Sequence, residues 1–266
     1  MKTRVISASV LLAITALCMI FPLTRVLYLS AAAVIACYEI NKALKLCGIK
    51  CTVWILYGYI VGCALLLLLD TELIFVAAWF TLAAFAVILA GVVKSSVGAR
   101  GMLATLSVLI YPLMLFTIIL CIATLPQWLP VFILACLATW VCDSFALFGG
   151  RRFGKHQLAP TVSPNKTVEG ALCGALASAV AGVISFFILK YISPVPFWPC
   201  VIISVISSSF GQLGDLAASL IKRLADIKDY SNLIPGHGGM MDRADSLLFS
   251  IPTTFFCLCL AAFFAF

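Results

Sequence analysis

The sequence predicts an all-α, polytopic integral membrane protein with about nine transmembrane helices and no separate soluble domain. Three observations carry that prediction. Of the 266 residues, 64% are hydrophobic and 10% charged, whereas soluble globular domains are roughly 45–50% apolar and about 25% charged. Apolar runs of the roughly 20 residues a helix needs to cross a bilayer fill most of the chain, and no polar stretch reaches the ~50 residues of an independent domain. Lastly, the basic residues divide unevenly between alternate loops.

The first run, 5–23, follows Lys2 and Arg4 and precedes the small residues Ser30 to Ala33, as a secretory signal would. Because further apolar runs follow, it is read as an uncleaved first helix. Eight more spans lie between charged or Pro/Gly-rich breaks, at 26–44, 53–69, 73–93, 101–121, 127–148, 168–189, 196–217 and 246–265. The chain is read as one transmembrane domain, with 1–130 supplying N-terminal helices and 131–266 the catalytic helices and cytoplasmic loops.

With the spans alternating, fifteen of the seventeen Lys and Arg residues fall on the side of the N-terminus, and only Arg25 and Lys190 fall opposite. The positive-inside rule then places the N-terminus and the loops after spans two, four, six and eight in the cytoplasm, and the C-terminus outside. Eight of the ten acids share the cytoplasmic side, leaving Asp70 and Glu72 outside. A cationic cytoplasmic face attracts anionic lipid head groups and nucleotides. That bias occurs in membrane proteins of every function, so it permits phosphate chemistry without demonstrating it. The basic residues form no continuous stripe, and no nucleic-acid partner is expected.

The twelve cysteines lie mostly inside apolar runs and never in CxxC spacing, so they read as small core hydrophobes. With His156 and His237 the only histidines, a zinc site lacks its usual ligands. No internal repeat appears, nor the matching broken helices of many transporters.

Polar residues concentrate in two stretches, 143–170 and 211–245, which the topology puts on one side of the membrane. In the first, Asp143 sits within an apolar helix, where an ionised carboxylate is costly unless it meets a cation or a wet cavity. Gly149 with Gly154 and Lys155 approximates a phosphate-binding loop, but His156 replaces the hydroxyl residue and no strand precedes it, so a P-loop is rejected. Ser163 and Pro164 suit an N-cap and first turn, and Lys166 beside those backbone N–H groups makes an anion site. An ordinary capped helix fits the same residues equally well.

In the second stretch Asp215, Ser219, Lys222 and Asp226 recur at helical spacing and fall within roughly 60° of one helix face. That face is either a solvated surface with intrahelical ion pairs or a stripe aimed at something polar at the membrane interface. Gly236, Gly238 and Gly239 around His237 allow a tight turn and close approach to a ligand. Asp242 and Asp245 bring two more carboxylates to the start of the last span. Carboxylates beside Lys and Arg supply hard oxygen ligands for Mg²⁺ and donors for phosphate oxygens.

The run from Ser219 through Lys222, Arg223, Lys228 and Asp229 to Pro235, His237, Gly238, Gly239, Met240, Met241, Asp242, Arg243 and Asp245 resembles the signature of the CDP-diacylglycerol synthases, also called phosphatidate cytidylyltransferases. Asp143, Gly150, Arg151, Phe153 to Lys155 and Ser163 to Gly170 resemble the same family, so the similarity covers roughly the C-terminal half. Asn165 and Val168 depart from its pattern, where relatives often carry a basic residue and an aromatic. The resemblance implies a membrane enzyme of phospholipid biosynthesis that joins CTP and phosphatidic acid into CDP-diacylglycerol and releases pyrophosphate. It implies Mg²⁺ on Asp215 and Asp242, a second cation such as K⁺ nearby, and a homodimer among membrane lipids of the cell (inner) membrane, its active site facing the cytoplasm.

On that expectation Asp215, Asp242, Lys222 and Arg223 are catalytic. Ser219, Lys166, Asp229, His237 and Arg243 bind substrate, and Asp143 joins Asp215 and Asp242 as a metal ligand. Glu39, an acid inside span two, either lines a lipid entrance or snorkels to the interface; it is left outside the site. The alternatives are a CTP-dependent lipid kinase of the polyprenol or phytol type and a transporter, the latter requiring polar groups at mid-membrane depth and on both faces.

Overall fold

The computed structural model describes residues 2–94, 97–193, 195–233, 236 and 238–264. They form ten α-helices and one short hairpin. The helices are α1 (Lys2–Cys18), α2 (Pro22–Leu46), α3 (Val53–Leu68), α4 (Leu73–Val93), α5 (Gly98–Val108), α6 (Leu115–Thr124), α7 (Trp128–Phe153), α8 (Val168–Leu189), α9 (Phe197–Leu224) and α10 (Met241–Phe264). The hairpin pairs β1 (Gln157–Ala159) antiparallel with β2 (Ser163–Thr167).

Among the described residues seven helical stretches are long and apolar enough to cross a membrane: α2, α4, α5 with α6, α7, α8, α9 and α10. The apolar part of α1 and the whole of α3 are shorter. The chain is an all-α polytopic membrane protein. Its surface agrees, since Leu17, Val92, Leu176 and Trp198 are among many large apolar side chains left exposed, a surface that suits lipid and would aggregate in water.

Helix ends follow local chemistry. The first span stops at Cys18, short of the predicted residue 23, because Pro22 takes the first turn of α2, where its missing N–H has no intrahelical role. The predicted span 101–121 is broken at Leu109–Met114 by a π-helical turn carrying Pro112, whose ring removes a backbone donor.

The chain divides into two compact units, 1–124 with 221–243, and 125–220 with 244–266. In the first, α2, α3 and α6 bury Ala36, Cys37, Ile40, Leu56, Cys63 and Leu120. Two polar contacts tie this core together: the Tyr59 and Thr117 hydroxyls lie 2.8 Å apart and the Trp79 indole donates to the Tyr59 carbonyl at 3.1 Å. The second unit buries Leu134, Leu189 and Cys200 against Ile133, Phe186, Val195 and Leu258. Small hydroxyls join its helices, Ser208 to Ser178 at 2.9 Å and Thr139 to Ser250 at 3.0 Å, as apolar surroundings without water require. α10 comes so close to α9 that a Cβ on Gly214 would overlap the Asp245 carbonyl and the Phe249 ring. All twelve cysteines are free.

Candidate active site

The segment before α8 differs from its sequence reading. Ser163 and Pro164 do not start the helix; they lie in β2, and Thr167 is the N-cap, its hydroxyl accepting from the Gly170 N–H at 3.1 Å. The cause is the hairpin. The Val168 N–H donates to the His156 carbonyl at 2.9 Å, and one Glu169 oxygen accepts from the Lys155 and His156 N–H groups at 3.0 and 3.2 Å. The other Glu169 oxygen lies 2.6 Å from the His156 ring. These bonds hold the chain extended up to Thr167, and Pro164 is tolerated in a short edge strand. The rejected P-loop has no loop to occupy either, since α7 runs through Gly149 to Phe153.

Lys166 therefore projects from a strand, and its ammonium pairs with the Asp215 carboxylate on α9. The Ser219 hydroxyl, one turn along, reaches the other Asp215 oxygen at 3.4 Å. Both charged side chains are about a third exposed, 30% for Lys166 and 29% for Asp215. The helical stripe read from the sequence holds from Asp215 to Lys222 and then stops. α9 ends at Leu224, and Asp226 takes a left-handed φ of 52° while the Ile227 N–H returns to the Lys222 carbonyl at 2.9 Å, as in a Schellman cap.

Lys222 finds its partner outside its own helix. Its Nζ lies 2.8 Å from Asp242 Oδ1 and 5.6 Å from the centre of the Tyr230 ring. Asp242 Oδ2 accepts from the Tyr230 N–H at 2.9 Å and the Gly239 N–H at 3.0 Å. This pair is buried, with 11% of the Lys222 side chain and 4% of that of Asp242 exposed. Two of the three glycines expected to admit a ligand, Gly238 and Gly239, face the protein's own acids. Gly238 has φ +80°, and a Cβ there would stand 2.9 Å from Asp242 Oδ2; one on Gly239 would overlap the Glu39 carboxylate.

The other candidates are more exposed. Arg223 donates to the Ile227 carbonyl at 3.3 Å. Arg243 is exposed in the first turn of α10, and Asp143 is exposed on α7. Asp229 lines an open pocket of about 410 Å³ with Lys42, Lys228, Tyr230, Ser231 and Asn232. His237 lies outside the described residues. Two acids that the sequence reading left outside the site are tightly bound into these segments: Glu169, carried there only within the run from Ser163 to Gly170, and Glu39, noted as an acid inside an apolar helix.

Among the described residues no three His, Cys, Asp or Glu side chains gather to hold a metal ion. Mg²⁺ does not demand such a cage, since one or two carboxylates with substrate phosphates and water complete its shell. Asp215 fits that role, being partly open and bonded by one lysine and one distant hydroxyl. Asp242 fits as a single-oxygen ligand. A carboxylate has about four lone-pair sites, and among the described residues Lys222, Tyr230 and Gly239 use three of those on Asp242.

Each lysine-paired aspartate, within its own unit, is the kind of group that meets a phosphate or the cation bound to one. The chain matches the sequence profile of the cytidylyltransferase family over residues 2–261. It belongs to that family. Over 126 residues, 47% of this chain and 46% of the relative, it is 44% identical to a phosphatidate cytidylyltransferase of Bacillus subtilis. The protein of the same name from Staphylococcus haemolyticus is 39% identical over 130 residues, 49% of each chain, and that of Staphylococcus saprophyticus 40% identical over 129 residues, 48% of this chain and 49% of the relative. The chain thus spans about half the length of the curated relatives it matches.

Proposed function

We propose that this protein is a phosphatidate cytidylyltransferase of the cell membrane, converting CTP and phosphatidic acid into CDP-diacylglycerol and pyrophosphate with Mg²⁺, at the cytoplasmic face. The observation that carries this reading is the 39–44% identity to family members that bear that name. The cationic bias of alternate loops supports the cytoplasmic placement, and a homodimer and a second cation such as K⁺ belong to the same reading.

A phosphate oxygen of the lipid attacks the α-phosphorus of CTP, forming one P–O bond as the bond to pyrophosphate breaks. Asp215 and Asp242, with Asp143 as a further ligand, would hold Mg²⁺, which when bound draws negative charge from the phosphate oxygens. Lys166 offers its ammonium to a phosphate that displaces it from Asp215. Lys222 offsets the charge of Asp242, and Arg223 and Arg243 bring donors to the attacking or departing phosphate. Ser219 orients an oxygen, while Asp229 and His237 serve substrate binding. Phosphatidic acid is already an anion, so no general base and no covalent intermediate is required, and catalysis is positioning plus charge stabilisation.

The deciding experiment supplies purified protein with labelled CTP and phosphatidic acid. A CDP-lipid with stoichiometric pyrophosphate is expected. In a parallel reaction with a polyprenol in place of phosphatidic acid, CDP together with a newly phosphorylated alcohol would replace the synthase with a lipid kinase, and no turnover in either reaction would end both readings.

A further inference from the structure

Glu39 is the most deeply buried acid among the described residues. It sits on α2 with 1% of its surface exposed. Its Oε1 accepts from the Ser231 hydroxyl at 2.5 Å and from the Met240 N–H at 3.0 Å, and its Oε2 accepts from the Met241 N–H at 2.7 Å. Met241 opens α10, where helix geometry leaves backbone N–H groups without intrahelical partners and the helix dipole favours negative charge. A residue two hundred positions earlier thus caps the helix that carries Asp242.

The two acids share the backbone of this segment between them. Asp242 takes the N–H groups of Tyr230 and Gly239, and Glu39 takes those of Met240 and Met241. Gly239 has no left-handed φ to explain its lack of a side chain; what excludes a Cβ there is the Glu39 carboxylate. A buried carboxylate is expensive unless donors surround it, and here three do, two of them within two residues of Asp242.

We propose that Glu39 is a positioning residue for the nucleotidyl-transfer site: through Ser231, Met240 and Met241 it fixes the start of α10 and so the direction of the Asp242 carboxylate. The proposal rests on the reading of Asp242 as catalytic. It assigns Glu39 neither to a lipid entrance nor to the interface, the two places its sequence context suggested.

The test is Glu39→Gln, which keeps the volume but turns a donor toward N–H groups that need an acceptor. Expected are a kcat reduced about tenfold or more, a KM for CTP within about twofold of the wild-type value, and faster amide exchange in peptides covering Gly238 to Asp242, with exchange in α3 unchanged. Glu39→Gln with wild-type kcat, or with wild-type exchange in those peptides, overturns the proposal. A wild-type protein that makes no CDP-lipid overturns the functional reading instead, while the exchange measurement still reports whether Glu39 holds the segment. Ser231→Ala covers the case in which the glutamine variant does not fold: it removes one of the three bonds and leaves the carboxylate, so a kcat lowered about two- to fivefold is expected, and an unchanged one counts against the role. Gly239→Ala completes the set. It should lower kcat in the wild type and add nothing in a Glu39→Ala background, where the overlap is gone; losses that simply add would refute the contact.

Discussion

Two aspartates with the same sequence-level role occupy different physical settings. Asp215 meets Lys166 in a partly open pair, with one further bond, a 3.4 Å contact to Ser219. Asp242 meets Lys222 in a buried pair and also accepts two backbone N–H groups. An open ion pair contributes little to stability, about 0–1 kcal/mol, so Asp215 can exchange its lysine for a substrate or metal at small cost. A buried pair contributes little net either, but removing one partner leaves an uncompensated charge and is costly. The first site is built to change partners and the second to hold still.

The largest expected effect tests that contrast directly. Asp242→Ala strands the Lys222 ammonium and two backbone donors, and it should lower unfolding free energy by about 3–5 kcal/mol, read as a fall in melting temperature in detergent. Asp215→Ala should abolish turnover while changing stability by no more than about 1 kcal/mol. Equal melting temperatures for the two variants would end the contrast.

The lysines sharpen the same comparison with a smaller effect. Lys166→Ala should leave the melting temperature nearly unchanged and raise the KM for an anionic substrate, an effect that shrinks at 0.5 M salt because open charges are screened. Lys222→Ala should destabilise the protein at every salt concentration. A salt-sensitive defect in Lys222→Ala would mean that the buried pair opens to solvent.

The smallest effect concerns the hairpin that presents Lys166. Thr167→Ala removes the N-cap of α8 and should cost about 1 kcal/mol, whereas Ser163→Ala, which loses no cap, should fall within about 0.5 kcal/mol of the wild type. The reverse order would reinstate Ser163 as the helix start.

Much of the fold was legible because lipid imposes a length and a polarity on every segment. The apolar runs at 73–93 and 168–189 coincide with α4 and α8 residue for residue. The helical stripe from Asp215 to Lys222 followed from the 3.6-residue period and is present. Legibility failed where a distant partner overrode a local preference. Ser163 and Pro164 carry a good start signal, yet β1 pairs with them and moves the cap to Thr167. Gly238 and Gly239 were expected to let a ligand come close; the groups that stand there are Asp242 and Glu39, and nothing local says so.

Composition and spacing by themselves determined that this chain lives in a membrane and where most of its charged residues gather, because each of these is a property of one segment and its solvent. Tertiary structure decided which acid meets which donor. Glu39 and Asp242 bind backbone N–H groups, and every residue type offers the same N–H, so no side-chain pattern marks where such a bond will form. Only the fold, by bringing α2 against the start of α10, makes that choice.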